Sequence, residues 1–424
     1  MLIEFSVSNF RSIRERQTLS MVAAPRLRKR ENVFVPDVDG EKLPALLKVV
    51  AIYGPNASGK SNLIRALGVI EQFTMLKPGI EPKILPVSPF RFDSSTINEP
   101  SRFEVHFVEH RQRYMFELAA TPLRVVEEKL TAYPRGKTSL LYSRKHTAKG
   151  DVYEFGEQLE GGKTLHDAWR NLTGPDVLFL TQAAANSNEE LTQLRIPLSW
   201  LSNMMFTMSS SFGPLRKHSE ALMTKSDWYK KSVASLLQEV DLPISGINSK
   251  VLDTANEDNT SDSSSNREKL KYKTTLTHVT ALGQANFDIE EESDGTKNLI
   301  SFSFPWLLMD PKYGINSNAK SLEIETNILV VDELDSSLHP KIVETLIARF
   351  ISKPNSAQLI FTTHDTHLMN AKLLRRDQYW LTERDENGAT QLRSIHEFEG
   401  RESEDIEKRY YEGRYRSLPI IKRV

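Results

Sequence analysis

Cysteine is absent from all 424 residues. Its absence excludes disulfides, Cys-ligated zinc, iron–sulfur clusters and a thiol nucleophile. It agrees with a reducing compartment, and a cytoplasmic location is expected. No run of ~18 apolar residues occurs, so no membrane span is expected. The opening Met1-Leu2-Ile3-Glu4-Phe5-Ser6-Val7 lacks the basic and apolar stretches of a signal peptide. No heptad pattern is sustained, which argues against a long coiled coil, and no internal repeat is visible. Neither sign of charge dominates: 55 basic against 56 acidic residues leave a net charge of −1. No global basic excess advertises nucleic-acid binding. Residues 1–30 are locally basic, with seven Lys/Arg against two Glu, and include Arg26, Arg28, Lys29 and Arg30. That run is either a solvated loop or a phosphate-contacting patch.

What is present is ordinary for a globular chain: 39% apolar and 26% charged residues. At ~150 residues per domain the length allows two to three domains. Leu2 to Val7 alternates like a strand, and Leu46 to Tyr53 reads as a buried one. Leu63, Ala66, Leu67 and Ile70 recur at helical spacing. Segments 102–108, 113–119, 124–132, 139–143 and 152–155 predict an antiparallel β-rich region. Residues 186–245 read as mainly helical, and 254–268 as a polar, mobile loop. Asn327–Val331 and Leu359–Thr362 read as buried strands, and Asn298 to Met309 as a helix. Tyr379–Thr382 and Gln391–Ile395 flank Asn387-Gly388, a hairpin signal.

The strongest motif is Gly54-Pro55-Asn56-Ala57-Ser58-Gly59-Lys60-Ser61, which fits G-x-x-x-x-G-K-[ST] between a strand and a helix. Glycines let the backbone wrap phosphate oxygens, and the N–H groups and dipole of a helix start favour an anion. Lys60 is expected to neutralise the β- and γ-phosphates of ATP, Ser61 to ligate Mg²⁺, and Asn62 to continue the nucleotide-binding segment. Ile328-Leu329-Val330-Val331-Asp332-Glu333 sets two carboxylates at the C-terminal end of a strand, where open α/β sheets bind ligands. Asp332 is expected to hold Mg²⁺, and Glu333 to orient or deprotonate the attacking water.

Ser293-Asp294-Gly295-Thr296 precedes an apolar helix, Leu334-Asp335-Ser336-Ser337-Leu338-His339-Pro340 follows the acidic pair, and Phe361-Thr362-Thr363-His364 ends a strand. On these motifs and their order, the chain resembles the ABC-type ATPases of the SMC/RecF kind. The resemblance implies an α/β P-loop ATPase head, here with a β-rich lobe and a helical insertion. It implies that Ser293 and Gly295 reach the γ-phosphate held by an opposing subunit, that Asp335 belongs to the D-loop, and that His364 is a switch histidine. A helix cap for Ser293 and a core position for His364 stay open, and His339 reads as structural. Asn9-Phe10-Arg11-Ser12-Ile13 is similar to the N-terminal segment of such heads, which places Arg11 and Ser12 beside the nucleotide. Gln182 is the candidate for the Mg²⁺-sensing glutamine, against an ordinary loop amide.

The expected domains are 1–185 with the phosphate loop and β-rich region, a helical insertion 186–285, a second ATPase lobe 286–396 and a tail 397–424. The spacing from Gly295 to Asp332 implies an inserted loop around Pro311 to Glu325. The tail Tyr411-Glu412-Gly413-Arg414-Tyr415, with the motifs, looks like the compact ATPases of bacterial anti-phage and abortive-infection loci, of RloA type. That resemblance implies a homodimer or higher oligomer acting on a separately encoded effector, a nuclease or toxin. An SMC/RecF-like DNA-binding repair ATPase is the alternative. A GTPase is a third, for which Thr224-Lys225-Ser226-Asp227 is a loose match in an unsuitable helical context.

Overall fold

The computed structural model describes residues 1–79, 83–203, 205–207, 212–252, 271–309, 328–353, 356–369, 373–402, 404–415 and 418. The expected mobile loop 254–268 and the inserted loop around Pro311 to Glu325 lie outside them. The chain divides into two units. One comprises Met1–Phe206, Glu325–Glu333 and Ile347–Val424; the other comprises Thr207–Ile324 and Leu334–Leu346.

The first unit holds two large sheets. In the antiparallel one, seven strands run in the order Gly150–Phe155, Ser139–Thr147, Arg124–Ala132, Gln112–Thr121, Ser101–Glu109, Leu2–Ser8 and Gln17–Ser20. All five strands expected between 102 and 155 are present, 124–132 with the expected bounds and the other four somewhat longer. Alternation explains why they were legible: Phe103, Val105 and Phe107 are buried while Arg102 faces solvent. Glu128 sits buried at the back of this sheet. Its carboxylate accepts from Tyr142 Oη at 2.7 Å and from the N–H groups of Phe179 at 2.7 Å and Leu180 at 2.9 Å. It thereby caps the Phe179–Ala185 helix.

The other sheet has six strands in the order Met205–Thr207, Ile328–Val331, Gln358–Thr362, Val49–Tyr53, Tyr379–Arg384 and Thr390–Ser394. The four central strands are parallel, and the last pair is an antiparallel hairpin. Every residue of Val49–Tyr53, Ile328–Val331 and Gln358–Thr362 is buried. Parallel strands covered on both faces read as continuous apolar runs, which is how they showed in the sequence. The single strand expected over Leu46 to Tyr53 is two. Leu46–Leu47 pairs with Val33–Phe34, and Val49–Tyr53 joins the six-stranded sheet. Lys48 makes the break: its buried Nζ donates to Ile351 O at 2.8 Å and Lys353 O at 2.7 Å, a cation at the carbonyl end of a helix.

The second unit packs helices Phe212–Lys225, Asp227–Glu239 and Asp294–Leu308 with a three-stranded sheet, Ile244–Leu252, Lys271–Thr280 and Gly283–Asp288. Of the insertion expected at 186–285 to be mainly helical with a loop at 254–268, the described residues Ile244–Leu252, Lys271–Thr280 and Gly283–Asp288 are strands. Its buried positions are partly hydroxyls, which hid the apolar alternation: Ser249 Oγ and Thr274 Oγ1 lie 2.9 Å apart, and Thr274 donates to Glu220 Oε2 at 3.2 Å. The helix starting at Asp294 also belongs to this unit rather than to one continuous lobe 286–396.

Candidate nucleotide site

The Val49–Tyr53 strand runs straight into the glycine loop, and the Lys60–Met75 helix leaves it. Gly59 caps that helix with φ 105°, and a Cβ there would press on Thr390, with Cγ2 at 2.8 Å. An L side chain is therefore excluded by both conformation and space. Ala57 also adopts a left-handed φ of 61°. Asn56 and Ala57 are exposed at the turn, while Ser58 and Lys60 are buried. Lys60 Nζ donates to Gly54 O at 2.7 Å and Pro55 O at 3.2 Å. Ser61 and Asn62 stand half-buried in the first helical turn, whose N–H groups lack intrahelical acceptors.

The C-terminal hairpin grips this loop. Ser58 Oγ and Thr382 Oγ1 are 2.6 Å apart, and Thr382 Oγ1 donates to Tyr53 O at 3.2 Å. Thr390 Oγ1 donates to Ser58 O at 2.9 Å and lies 2.8 Å from Ser12 Oγ. Ser12 O accepts from Thr390 N at 2.7 Å, and Ser12 Oγ accepts from Asn62 Nδ2 at 2.8 Å. Ser12 is thus beside the start of the loop helix. Arg11 adjoins it with a left-handed φ of 51°. Thr382 and Thr390 were missed by sequence reasoning. The hairpin was legible, but no local pattern announces which of its hydroxyls meets a loop more than 300 residues away.

The acidic pair ends its strand on the same sheet edge. Val331 pairs with Phe361, and Thr362 pairs with Ile52, so Asp332, Thr362 and Gly54 follow one another across three parallel strands. Asp332 is buried, and its Oδ1 accepts from Thr362 Oγ1 at 2.6 Å. The same hydroxyl accepts from Glu333 N at 2.8 Å. Glu333 has a left-handed φ of 58°, an uncommon conformation for a residue with a side chain and one that gathers at functional sites. Thr362 was read as part of a strand; its bridging role went unseen. His364 follows two residues later, exposed in the loop beyond the strand.

Ser293 and Gly295 belong to the second unit. Ser293 is the N-cap of the Asp294–Leu308 helix, its Oγ accepting from Thr296 N at 3.1 Å, so the capping alternative describes its contact here. Gly295 lies so near Ser337 that an added Cβ would come within 2.6 Å of the Ser337 carbonyl oxygen. Asn298 Nδ2 donates to Ser336 O at 3.2 Å. The helix start and the segment after Glu333 are thus packed together. Gln182 is buried in the Phe179–Ala185 helix, and its carbonyl accepts from Asn186 Nδ2 at 2.8 Å. Among the described residues no hydrogen bond joins its side chain to the loop. His339 Nδ1 accepts from Lys341 N at 3.2 Å at a helix start, a structural role. The basic run is partly tied into the fold: Lys29 Nζ donates to Leu374 O at 2.7 Å, and burial lowers its affinity for the proton.

The donor set fits a nucleotide with Mg²⁺. Lys60 offers a cation at the loop mouth, and Ser61 and Asp332 offer the hard oxygens that Mg²⁺ takes alongside phosphates and water. Among the described residues no helix is long and apolar enough to cross a membrane.

Several solved structures are similar over almost the whole chain. The SMC head domain from Thermotoga maritima is 16% identical, covers 93% of this chain and 98% of its own, and has a TM-score of 0.40. An SMC head bound to the C-terminal winged-helix domain of ScpA is 14% identical, covers 93% and 97%, and scores 0.43. The SMC head with an extended coiled coil, bound to the C-terminal domain of ScpA derived from Pyrococcus furiosus, is 13% identical, covers 93% and 97%, and scores 0.40. No curated protein matches. The family model "AAA domain, putative AbiEii toxin, Type IV TA system" matches residues 49–370, from the phosphate-loop strand to beyond His364. With the glycine loop and the acidic pair at one edge of a parallel sheet, the chain belongs to this AAA-domain family of P-loop ATPases.

Proposed function

We propose that this protein is an ATP-binding and ATP-hydrolysing molecular switch. The observation that carries the reading is that the glycine loop leading to Lys60, the Asp332–Glu333 pair and Thr362 all stand at the C-terminal ends of adjacent parallel strands, with Thr362 bonded to both members of the acidic pair. Lys60 and the loop N–H groups bind the terminal phosphates. Ser61 and Asp332 would hold Mg²⁺, which would supply charge neutralisation, and Thr362 fixes the face that Asp332 presents. Glu333, held in its left-handed turn, orients water and accepts its proton. His364, at the next strand end, donates toward developing negative charge.

The switch is a dimer in which Ser293 and Gly295 of one protomer face the phosphate loop of another. ATP closes it and hydrolysis reopens it. The family's description names a putative toxin and a toxin–antitoxin system, which supports the reading of an anti-phage or abortive-infection ATPase that controls a separately encoded effector. The DNA-repair alternative leaned on the basic N-terminal run, of which Lys29 is bound to the protein's own backbone.

The experiment is ATP turnover by wild type, Lys60→Ala and Glu333→Gln, with and without DNA and co-expressed neighbours. Loss of turnover in both variants supports the reading. Glu333→Gln is expected to accumulate as an ATP-bound dimer. A Glu333→Gln protein that stays monomeric with ATP at every concentration overturns the dimer switch.

A further inference from the structure

The tail motif Tyr411-Glu412-Gly413-Arg414-Tyr415 closes a helix, except at its first residue. The Ile406–Tyr411 helix ends at Glu412, and Gly413 follows with a left-handed φ of 73°. Gly413 N donates to Tyr410 O at 2.9 Å and Arg414 N to Arg409 O at 3.2 Å, the pair of bonds that ends a helix on a glycine. Arg414 Nε pairs with Glu412 Oε2 at 2.9 Å, and the buried Tyr415 packs edge-on against Phe398 at 5.3 Å. Tyr411 does none of this. It is 61% exposed, yet its Oη lies 2.9 Å from Thr366 Oγ1. Thr366 gives its one proton to Glu407 Oε1 at 2.9 Å, so it accepts from Tyr411. Thr366 opens the short turn Thr366–Met369, two residues after His364. The sheet holds the same segment: Tyr53 Oη donates to Asp365 O at 3.1 Å, and Tyr379 Oη donates to Leu368 O at 2.7 Å. Asp365 Oδ1 accepts from His367 N at 3.0 Å and closes the turn on itself. His364 therefore stands between Thr362, bonded to Asp332, and Thr366, bonded to the tail helix.

We propose that Tyr411, acting through Thr366, is a positioning residue for His364, so that the tail helix sets the rate of hydrolysis rather than the affinity for ATP. The proposal rests on the nucleotide reading above. A donor aimed at developing charge is effective when its backbone is already fixed and nothing has to reorganise during the reaction. Such fixing lowers the barrier and leaves the bound ground state where it was. Among the described residues no hydrogen bond joins Tyr411 to the glycine loop. Its bond to Thr366 is at the surface, where water replaces a lost partner, so its loss costs the folded state little.

The test is steady-state ATP turnover by the full chain as wild type, Tyr411→Phe, Thr366→Val and Thr366→Ser, with thermal melting alongside. Tyr411→Phe removes one hydroxyl and nothing else. It and Thr366→Val are expected to lower kcat about tenfold, with KM for ATP and melting temperature as in wild type. Thr366→Ser keeps the hydroxyl and is expected to turn over like wild type. Phenylalanine and valine variants with wild-type kcat overturn the proposal and leave the nucleotide reading standing. A loss of kcat that comes with a lower melting temperature or a raised KM marks a merely structural contact, which also overturns it. So does a serine variant as slow as the valine one. A wild-type protein that turns over no ATP overturns the hydrolysis reading and this proposal with it.

Discussion

The Thr362 hydroxyl gives its one proton to Asp332, at 2.6 Å, while accepting the N–H of Glu333. A single side chain thus fixes both the Asp332 carboxylate, proposed to hold the metal, and the backbone turn that presents Glu333. Thr362→Val keeps the shape and removes the hydroxyl. We expect it to lower Mg²⁺-dependent ATP affinity by about tenfold. Thr362→Ser should restore most of the loss. Titration of ATP with and without Mg²⁺ reads the effect, and an unchanged Mg²⁺ dependence in the valine variant would sink the assignment.

Gly295 is needed for close approach rather than for its φ. Gly295→Ala sets a methyl against the Ser337 carbonyl at a distance no relaxed structure tolerates. The segment after Glu333 must shift. A cost of about 1–3 kcal/mol is expected, together with lost turnover. Urea denaturation and turnover check the two effects separately.

Glu128 is expected to matter for stability. Glu128→Ala leaves the buried N–H groups of Phe179 and Leu180 without their acceptor. It also removes the carboxylate facing Arg144 at 3.9 Å. Loss of one partner of such a buried set costs about 3–5 kcal/mol. The midpoint of chemical unfolding should fall accordingly. A midpoint within experimental scatter of wild type would contradict this account of the Phe179–Ala185 helix.

Glu71, on the loop helix, has its carboxyl pushed up by burial to about 7 from an ordinary 4.5. The folded state therefore holds this proton more tightly than the unfolded one. The stability it brings is complete below pH 4.5 and is lost as the pH rises through 7. Glu71→Gln keeps a neutral side chain at every pH. The variant should match wild type near pH 4.5 and melt at a higher temperature above pH 7. Melting curves across that range, with equal melting temperatures at alkaline pH as the contrary result, decide it.

The motifs and the parallel strands were legible because their signals are local. Glycine and lysine spacing, and apolar runs such as Val49 to Tyr53, are properties of a few consecutive residues. The five antiparallel strands from Ser101 to Phe155 announced themselves by alternation. The sheet from Ile244 to Asp288 did not, because Ser249 and Thr274 occupy buried positions where an aliphatic residue would have marked the face. The break at Lys48 was hidden for the converse reason: a lysine inside an apolar run is buried on two carbonyls contributed from residues 351 and 353. The hydroxyls of Thr362, Thr382 and Thr390 belong to the same class. Their roles arise from tertiary neighbours, and threonine in a strand is otherwise unremarkable.

The grip on Ser58 by Thr382 and Thr390 spans 324 and 332 residues of sequence. The glycine loop is written early in the chain yet finished late. During synthesis, the P-loop strand and helix emerge long before the hairpin that clamps them, and the strands on either side of Val49–Tyr53 also come from beyond residue 350. Such long-range closure is slow to form and cooperative once formed. A ribosome-bound chain halted before Thr390 therefore carries every residue of the loop motif without the clasp that shapes it. The shape of the loop thus depends on residues that follow it by more than 300 positions.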